Sequence, residues 1–272
     1  MEQRELKDIL ILQDEIKKKA KASSSKTYMN IYQFWPEEIM HKKVDYRLTN
    51  SSLIFAYKDE GGIYRMFFIS YNVSDLEKEL SCFPQGAILD YICKGENELE
   101  GVFLGGGFRQ IASYTRKSIN FLTEGKDFKR SHSEILDAYY DETVGEYATE
   151  NDAEEITELL NNVFDKEVDH IPFVNEVREY AKKKWILVYR LAGKIRSLYI
   201  FQIQGRKFYS NFSYNSLPAT VLYCLEKRAH MEVVNNYNVI MKYSWINTNN
   251  DRSLKRNILK YDGVYTYIYK KV

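Results

Sequence analysis

The residue best suited to proton transfer in this sequence is His170, which lies in the short segment Asp-His-Ile-Pro at 169–172. A histidine side chain has an ordinary pKa of about 6.5, so it exchanges protons readily near neutral pH. A histidine beside an aspartate in a loop is also typical of a local hydrogen-bonding pair. The sequence therefore predicts either a residue that lines a substrate pocket or acts as a base there, or a structural pair.

The sequence lacks the common patterns for a metal site and for a nucleophile. Neither the four histidines nor the three cysteines have the short spacing of zinc ligands. The glycines at 105–107 have no serine in a nucleophile-elbow position and match no dinucleotide-binding pattern. Cys224 lies on the apolar face of a predicted helix, where a cysteine is usually a core residue. We therefore expect no metal.

Composition restricts the class of protein. The chain has 272 residues, with 39 Lys and Arg against 38 Asp and Glu, so bulk charge does not attract it to nucleic acid. Aromatic residues make up 15% of the chain, which excludes a disordered protein. Three cysteines fit a reducing compartment. No signal peptide is visible, and no segment approaches about 18 uncharged apolar residues. We expect a soluble, cytoplasmic protein without a membrane span.

The second half of the chain has a clear order of elements. A capping signal at Thr149 precedes a helix whose apolar residues recur at helical spacing, from Ile156 to Phe164. A second helix covers about 173–183, and a long helix capped by Ser216 covers 217–234. A last helix begins at Asn250 or Asp251. The predicted strands are 145–148, 186–191, 195–204, 207–214, 239–246 and 263–269.

The first half shows a similar order. Segment 52–72 lies naturally beside 186–205, and segment 96–117 lies beside 250–271. This match predicts an internal repeat in which the first half has lost the strand equivalent to 207–214. We therefore predict an N-terminal domain over 1–121, a linker over 122–143 and a C-terminal domain over 144–272.

The order of elements in 144–272 resembles the GNAT superfamily of acyl-CoA N-acyltransferases. Residues 148–160 look like the first strand and helix of that family. Asn250-x-x-Ser253 followed by Gly263-Val264 is similar to its Asn-x-x-Ala/Ser…Gly-Phe signature. Residues 44–121 carry a fainter version. The resemblance implies an α/β (α+β) fold of two GNAT-like halves, each a mixed, mostly antiparallel sheet flanked by helices.

The resemblance also implies a site in the second half. The pocket would lie where strands 207–214 and 239–246 diverge, at the amino end of helix 217–234. In the family, backbone amides of the first of these strands receive the acyl carbonyl. Polar residues at 209, 211, 213 and 215 alternate along that strand, which favours one polar face. The residues implied for substrate binding are Asn211, Ser213 and His170, and those implied for cofactor binding are Ser216, Thr220 and Asn250.

The phosphate loop departs from the family pattern. The family has Arg/Gln-x-x-Gly-x-Gly/Ala, whereas residues 213–220 contain no glycine and no arginine. We expect the Ser216 hydroxyl to occupy one helix amide and Pro218 to remove another. Each lost charge-assisted hydrogen bond is worth about 1.5–3 kcal/mol, so binding of an acyl-CoA in this half is predicted to be weak or absent. Many members of the family use a tyrosine as the general acid, and its position corresponds to Asn257 in this sequence.

Three functions remain open. The first is transfer of an acyl group from acetyl-CoA or another acyl-CoA to a small-molecule or peptide amine. The second is aminoacyl transfer from an aminoacyl-tRNA, because the aromatic stretch at 27–35 is similar to one in tandem-GNAT aminoacyl transferases. The third is a binding module without catalysis. Attack by a bound amine needs mainly orientation and a carbonyl-binding amide, so the missing acid does not exclude the first function, which we favour.

Overall fold

The computed structural model describes residues 2–31, 35, 37–129 and 133–272. The chain forms two compact units. Unit 1 consists of Met1–Ser113 and Val264–Val272, and unit 2 consists of Tyr114–Gly263. The boundaries of these units differ from those of the predicted domains. The predicted domain boundaries concern which parts of the chain fold independently, and they stay a prediction. Part of the aromatic stretch at 27–35 lies outside the described residues.

Unit 1 contains both helices and strands. Its described helices are α1 (Leu6–Ala22), α2 (Glu37–Met40), α3 (Val73–Ser81) and α4 (Glu100–Gly105). Its strands are β1 (Glu2–Glu5), β2 (Tyr28–Met29), β3 (Lys43–Leu48), β4 (Ser52–Lys58), β5 (Tyr64–Ser70), β6 (Ile88–Lys94), the first part of β7 (Phe108–Asn120) and most of the final strand (Lys260–Lys271).

The sheet of unit 1 is mixed. Strands β1, β3, β4 and β5 pair antiparallel in that order, and β5 then pairs parallel with β6. The final strand pairs antiparallel with β6, from Val264 opposite Lys94 to Lys270 opposite Ile88. One face of the sheet packs against α1, whose buried Leu6, Ile9 and Ile16 recur at helical spacing. The other face packs against α3 and α4.

Unit 2 begins in the second part of β7. Its described helices are α5 (Phe121–Glu124), α6 (Ser133–Asp137), α7 (Ala153–Val163), α8 (Val174–Lys182), α9 (Ala219–Asn236) and α10 (Asp251–Arg256). Its strands are β8 (Glu146–Tyr147), β9 (Ile186–Leu191), β10 (Lys194–Gln204), β11 (Lys207–Asn215), β12 (Met241–Asn247) and the beginning of the final strand, β13 (Lys260–Lys271).

The sheet of unit 2 is also mixed. Strands β8, β9, β10 and β11 pair antiparallel in that order, and β11 then pairs parallel with β12. Residues 114–120 of β7 pair antiparallel with β12. Helices α7 and α8 cover one face of the sheet, and α9 covers the other. The fold class predicted from the sequence is thus confirmed as a mixed α/β arrangement with helices on both faces.

The sequence comparison of the two halves was wrong in one respect. Unit 1 has three consecutive antiparallel strands, β3 to β5, and the last of them pairs parallel with the strand after the next helix. In unit 2 the same relation holds for β11 and β12. The counterpart of β11 is therefore β5, and the first half has not lost that strand. The similar strand–glycine turn–strand patterns had matched the β4–β5 hairpin to the β9–β10 hairpin. The structure matches it to the β10–β11 hairpin.

Two general features bear on function. Within the described part of the chain, no helix combines the length and apolar character needed to cross a membrane. Across those same residues, no group of three or more His, Cys, Asp or Glu side chains is arranged to hold a metal ion.

Candidate functional site

The sheet of unit 2 opens between β11 and β12. The two strands pair from Lys207 opposite Met241 only as far as Ser210 opposite Ser244, although both continue beyond this point. Among the described strands, none takes the place of β12 beside residues 211–215. Main-chain groups along this edge of β11 are therefore not used by a neighbouring strand. We call this gap the unit 2 opening.

A β-bulge lies at the start of the unit 2 opening. Opposite β10, Phe201 pairs with Ser210 and Ile200 pairs with Phe212, so Asn211 is the extra residue. The bulge reverses the faces of the strand: Phe208 packs with α9, whereas Phe212 packs with the α7 and α8 core. The predicted single polar face at 209, 211, 213 and 215 was therefore wrong, because the alternation does not continue through a bulge.

The amino end of α9 follows β11 directly. The N-cap is Pro218, no side chain caps the helix, and its first turn contains no acidic residue. Ser216 does not cap the helix as predicted, because its hydroxyl donates to the carbonyl oxygen of Arg196 at 3.0 Å. The first amides of a helix have no partner within the helix. Among the described residues, no side chain therefore accepts a hydrogen bond from the amides of Ala219 and Thr220.

The corresponding gap in unit 1 is filled by the chain itself. Strands β5 and β6 pair only at Arg65–Ile88 and Met66–Leu89. Beyond these pairs, β2 runs antiparallel to the end of β5, and because β4 pairs with β5 along its length, β2 occupies the edge that β6 leaves.

Asn30 fixes this filling segment. Its side chain donates to the carbonyl of Met66 at 3.0 Å and accepts from the amide of Phe68 at 2.6 Å. Asn30 is buried, with 4% of its surface exposed. The main-chain groups of β5 at the unit 1 gap are therefore already hydrogen-bonded within the protein.

The helix after β5 also differs from α9. The amino end of α3 is capped by the side chain of Asn72, which accepts from the amides of Ser74 and Asp75. Asn72 is therefore the cap of α3, and its side chain already occupies two of the amides at that end of the helix. Asp75 adds a negative charge to the first turn. An anion is therefore better accommodated at α9 than at α3.

Aromatic side chains line the sheet of unit 2 next to the opening. Tyr209 and Tyr243 lie opposite each other on β11 and β12, and their rings stack with centroids 5.4 Å apart. The guanidinium of Arg116 on β7 lies 4.6 Å from the centroid of Tyr243 and 5.6 Å from that of Trp245. We call Tyr209, Tyr243 and Trp245 the aromatic shelf. All three side chains are half-buried.

The loop between α7 and α8 is tied to the same face. The hydroxyl of Tyr114, two residues before Arg116 on β7, donates to Asp169 at 2.5 Å. Burial and this hydrogen bond raise the pKa of Tyr114, so its hydroxyl stays protonated at neutral pH. His170 itself is exposed and has a φ of 47°, a left-handed conformation that is uncommon for residues other than glycine. Asp169, the aspartate of the Asp169–His170 pair predicted from the sequence, therefore binds Tyr114.

Helix α10 has an N-terminal cap and contacts the buried side chain of Lys117 on β7. Asn250 caps it, accepting from the amide of Ser253 at 3.0 Å. The ammonium group of Lys117 donates to the carbonyls of Leu254, at 2.9 Å, and Asn257. Burial lowers the pKa of Lys117. The side-chain oxygen of Asn250 thus accepts the capping hydrogen bond. The predicted contact of Asn250 with acyl-CoA would have to use its side-chain NH₂ group.

The structure separates the residues predicted for the site into four places. Asn211 and Ser213 lie on β11 along the opening, Ser216 and Thr220 lie at the amino end of α9, and His170 and Asn250 lie in other loops. Sequence reasoning missed the aromatic shelf and Arg116. The alternation of Tyr243, Trp245 and Asn247 was a visible signal, but the pairing of β12 with β7 was not.

Comparison with known proteins supports this reading of the fold. No protein-family sequence model matches the chain, and no curated protein matches it by sequence. A GCN5-related N-acetyltransferase from Sphaerobacter thermophilus is similar in structure, with a TM-score of 0.51 over 81% of this chain and 76% of its own, at 8% identity. Another, from Kribbella flavida, has a TM-score of 0.50 over 84% of this chain and 89% of its own, at 6% identity. The chain has a GNAT-like fold.

Proposed function

We propose that the protein is an N-acyltransferase that takes its acyl group from an acyl-CoA such as acetyl-CoA, with the site in unit 2. The observation that carries the proposal is the unit 2 opening, where β11 and β12 separate after Ser210 and Ser244. The GNAT-like fold supports the general class of reaction. The acceptor is an amine, either a small molecule or part of a peptide.

The residues around the opening fit an acyl-CoA. Acyl-CoA supplies an activated thioester, and the main-chain amides of residues 211–215 are suited to hold its carbonyl oxygen. The uncapped amino end of α9, with no acidic residue in its first turn, is suited to hold the pyrophosphate. The amine forms the C–N bond as the C–S bond breaks, the nitrogen loses one proton, and CoA leaves as the thiol.

Binding of acyl-CoA should be stronger than the sequence alone suggested. The predicted loss of two donors assumed that Ser216 caps the helix, and Ser216 instead binds Arg196. The one donor that is still missing is the backbone N–H at position 218, because proline has none. One charge-assisted hydrogen bond is worth about 1.5–3 kcal/mol, so we expect affinity about 10- to 100-fold below that of a complete donor set.

A charge placed at the amino end of α9 tests the proposal. Ala219 is the first residue of the helix and is exposed, so it tolerates a longer side chain. Ala219→Glu should weaken acetyl-CoA binding by about 10-fold or more through repulsion of the pyrophosphate, whereas Ala219→Gln should stay within about 2-fold. Isothermal titration of the full chain with acetyl-CoA measures both.

Two outcomes would reject this function. Equal effects of Ala219→Glu and Ala219→Gln would place the donor elsewhere. An absence of heat at millimolar acetyl-CoA would leave the aminoacyl-tRNA donor or a non-catalytic module. Binding of charged tRNA that weakens steeply with salt would then select the aminoacyl transferase.

A further inference from the structure

The aromatic shelf borders the unit 2 opening. Tyr209 and Tyr243 form the pair immediately before Ser210 and Ser244, the last pair of the joined strands. Arg116 lies over Tyr243 and Trp245 on the same face. This face is also the one to which the α7–α8 loop is tied through Tyr114 and Asp169. A molecule on the shelf would therefore lie beside the point where β11 and β12 separate.

Arg116 is oriented but not fully used. Its Nε donates to Asp262 Oδ2 at 2.7 Å, and its side chain is 26% exposed. Within the described residues this is the one hydrogen bond that the guanidinium makes. A guanidinium has five N–H donors in a fixed fork that matches a carboxylate. Asp262 and the two rings thus hold Arg116 in place while its terminal nitrogens remain for a ligand.

We propose that the aromatic shelf and Arg116 bind the amine acceptor, and that this acceptor carries both a flat aromatic ring and a carboxylate. The inference rests on the proposed function, because it names the acceptor of that reaction. The half-buried rings of the shelf favour an aromatic group, because aromatic rings pack favourably on one another in offset or edge-to-face arrangements. The free edge of the Arg116 fork favours a carboxylate, which accepts two parallel hydrogen bonds. An aliphatic polyamine offers neither group.

Three amines separate these contributions. Phenylalanine has the ring, the amine and the carboxylate, phenethylamine lacks only the carboxylate, and cadaverine lacks the ring and the carboxylate. Each is titrated into the full chain by calorimetry, without CoA and with saturating CoA. We expect phenylalanine to bind about 10-fold more tightly than phenethylamine because of the charge-assisted pair. Cadaverine should bind more weakly than both.

Substitutions of Arg116 test whether this residue binds the carboxylate of the acceptor. Arg116→Gln should weaken phenylalanine binding by about 10-fold or more and leave phenethylamine within about 2-fold. Arg116→Lys keeps the charge without the fork and should give an intermediate loss. Arg206→Gln removes a charge from an exposed arginine of the same unit, in the turn before β11, and should change neither affinity.

The rings have their own test. Tyr243→Leu should weaken phenylalanine and phenethylamine by a similar factor of about 5 to 10, because the ring stacks with both. Tyr139→Leu, at a residue that is 63% exposed, is the matched control and should change neither. Thermal unfolding of each variant checks that the fold is retained.

Clear results would overturn the inference. Equal affinities for phenylalanine and phenethylamine, equal losses of both in Arg116→Gln, or tightest binding of cadaverine would each reject it. Acetyl-CoA titration is independent of these measurements. Phenylalanine binding without acetyl-CoA binding would reject the proposed function, and acetyl-CoA binding without selectivity for the carboxylate would reject only this acceptor.

Discussion

His230 lies among aromatic rings on the buried side of α9. Ring centroids of Phe121, Phe128 and Phe208 lie 5.6, 5.3 and 6.4 Å from its own, and 3% of its surface is exposed. Its Nε2 donates to the carbonyl of Lys126 at 2.7 Å, because a carbonyl oxygen can only accept. Burial and the charge of Lys242 lower the pKa of His230 to about 3.

This lowered pKa predicts a loss of stability in acid. An unfolded histidine binds a proton below about pH 6.5, whereas folded His230 binds one only near its lowered pKa. The free energy of unfolding should therefore fall by about 2 kcal/mol between pH 7.5 and pH 5 through this residue. His230→Asn should remove that part of the pH dependence in urea unfolding. His41→Gln, at a side chain that is 68% exposed, should retain it. An unchanged slope in His230→Asn would contradict the expectation.

At the scale of elements, the two units differ in what occupies the gap between their parallel strands. In unit 1, β2 and Asn30 use the main-chain groups of β5, and Asn72 caps the helix that follows. In unit 2, the edge of β11 and the amino end of α9 have no such partners among the described residues. Two similar arrangements of strands and helices thus provide one candidate site for a donor. We expect acetyl-CoA to bind with one molecule per chain.

Asn30 should be important for the stability of unit 1. Asn30→Ala leaves the buried amide of Phe68 and the carbonyl of Met66 without their side-chain partner. Each unsatisfied buried group costs about 1–3 kcal/mol, so the free energy of unfolding should fall by about 2–6 kcal/mol. Asn162→Ala, on the exposed surface of α7, should change it by less than about 0.5 kcal/mol. Urea unfolding that finds the two variants equal would show that Asn30 contributes little.

At the scale of the whole molecule, each unit is completed by a segment distant in sequence. Residues 114–120 form the strand beside β12 in unit 2, and residues 264–271 form the strand beside β6 in unit 1. Tyr269 is fully buried in unit 1 and packs on Phe103, with ring centroids 4.8 Å apart. The core of unit 1 therefore requires the end of the chain.

A fragment of residues 1–121 tests this dependence and the predicted domain boundary together. Without Tyr269 and its strand, the fragment should show no cooperative unfolding transition. A peptide of residues 260–272 should restore the transition. The same peptide with Tyr269→Ala should bind at least about 100-fold more weakly, because a large ring lost from a core costs about 3–5 kcal/mol. Cooperative unfolding of the fragment alone, by circular dichroism, would support the boundary at residue 121 instead.

Local patterns in the sequence determined the elements of unit 2 and the general fold class. The predicted strands at 186–191, 195–204 and 207–214 match β9, β10 and β11 closely, and the predicted long helix matches α9 within two residues. Helical and strand periods are properties of neighbouring residues, so they can be identified without the fold. The cap at Ser216 failed because its hydroxyl binds Arg196 on an adjacent strand.

Only the tertiary structure decided which gap is open and what surrounds it. The bulge at Asn211 depends on the register between β10 and β11, and the filling of the unit 1 gap depends on where Asn30 meets β5. Arg116 reaches the aromatic shelf because β7 pairs with β12, which lies far along the sequence. Strand pairing joins residues through hydrogen bonds between distant main-chain groups, and a single sequence contains no local signal of which strands will meet.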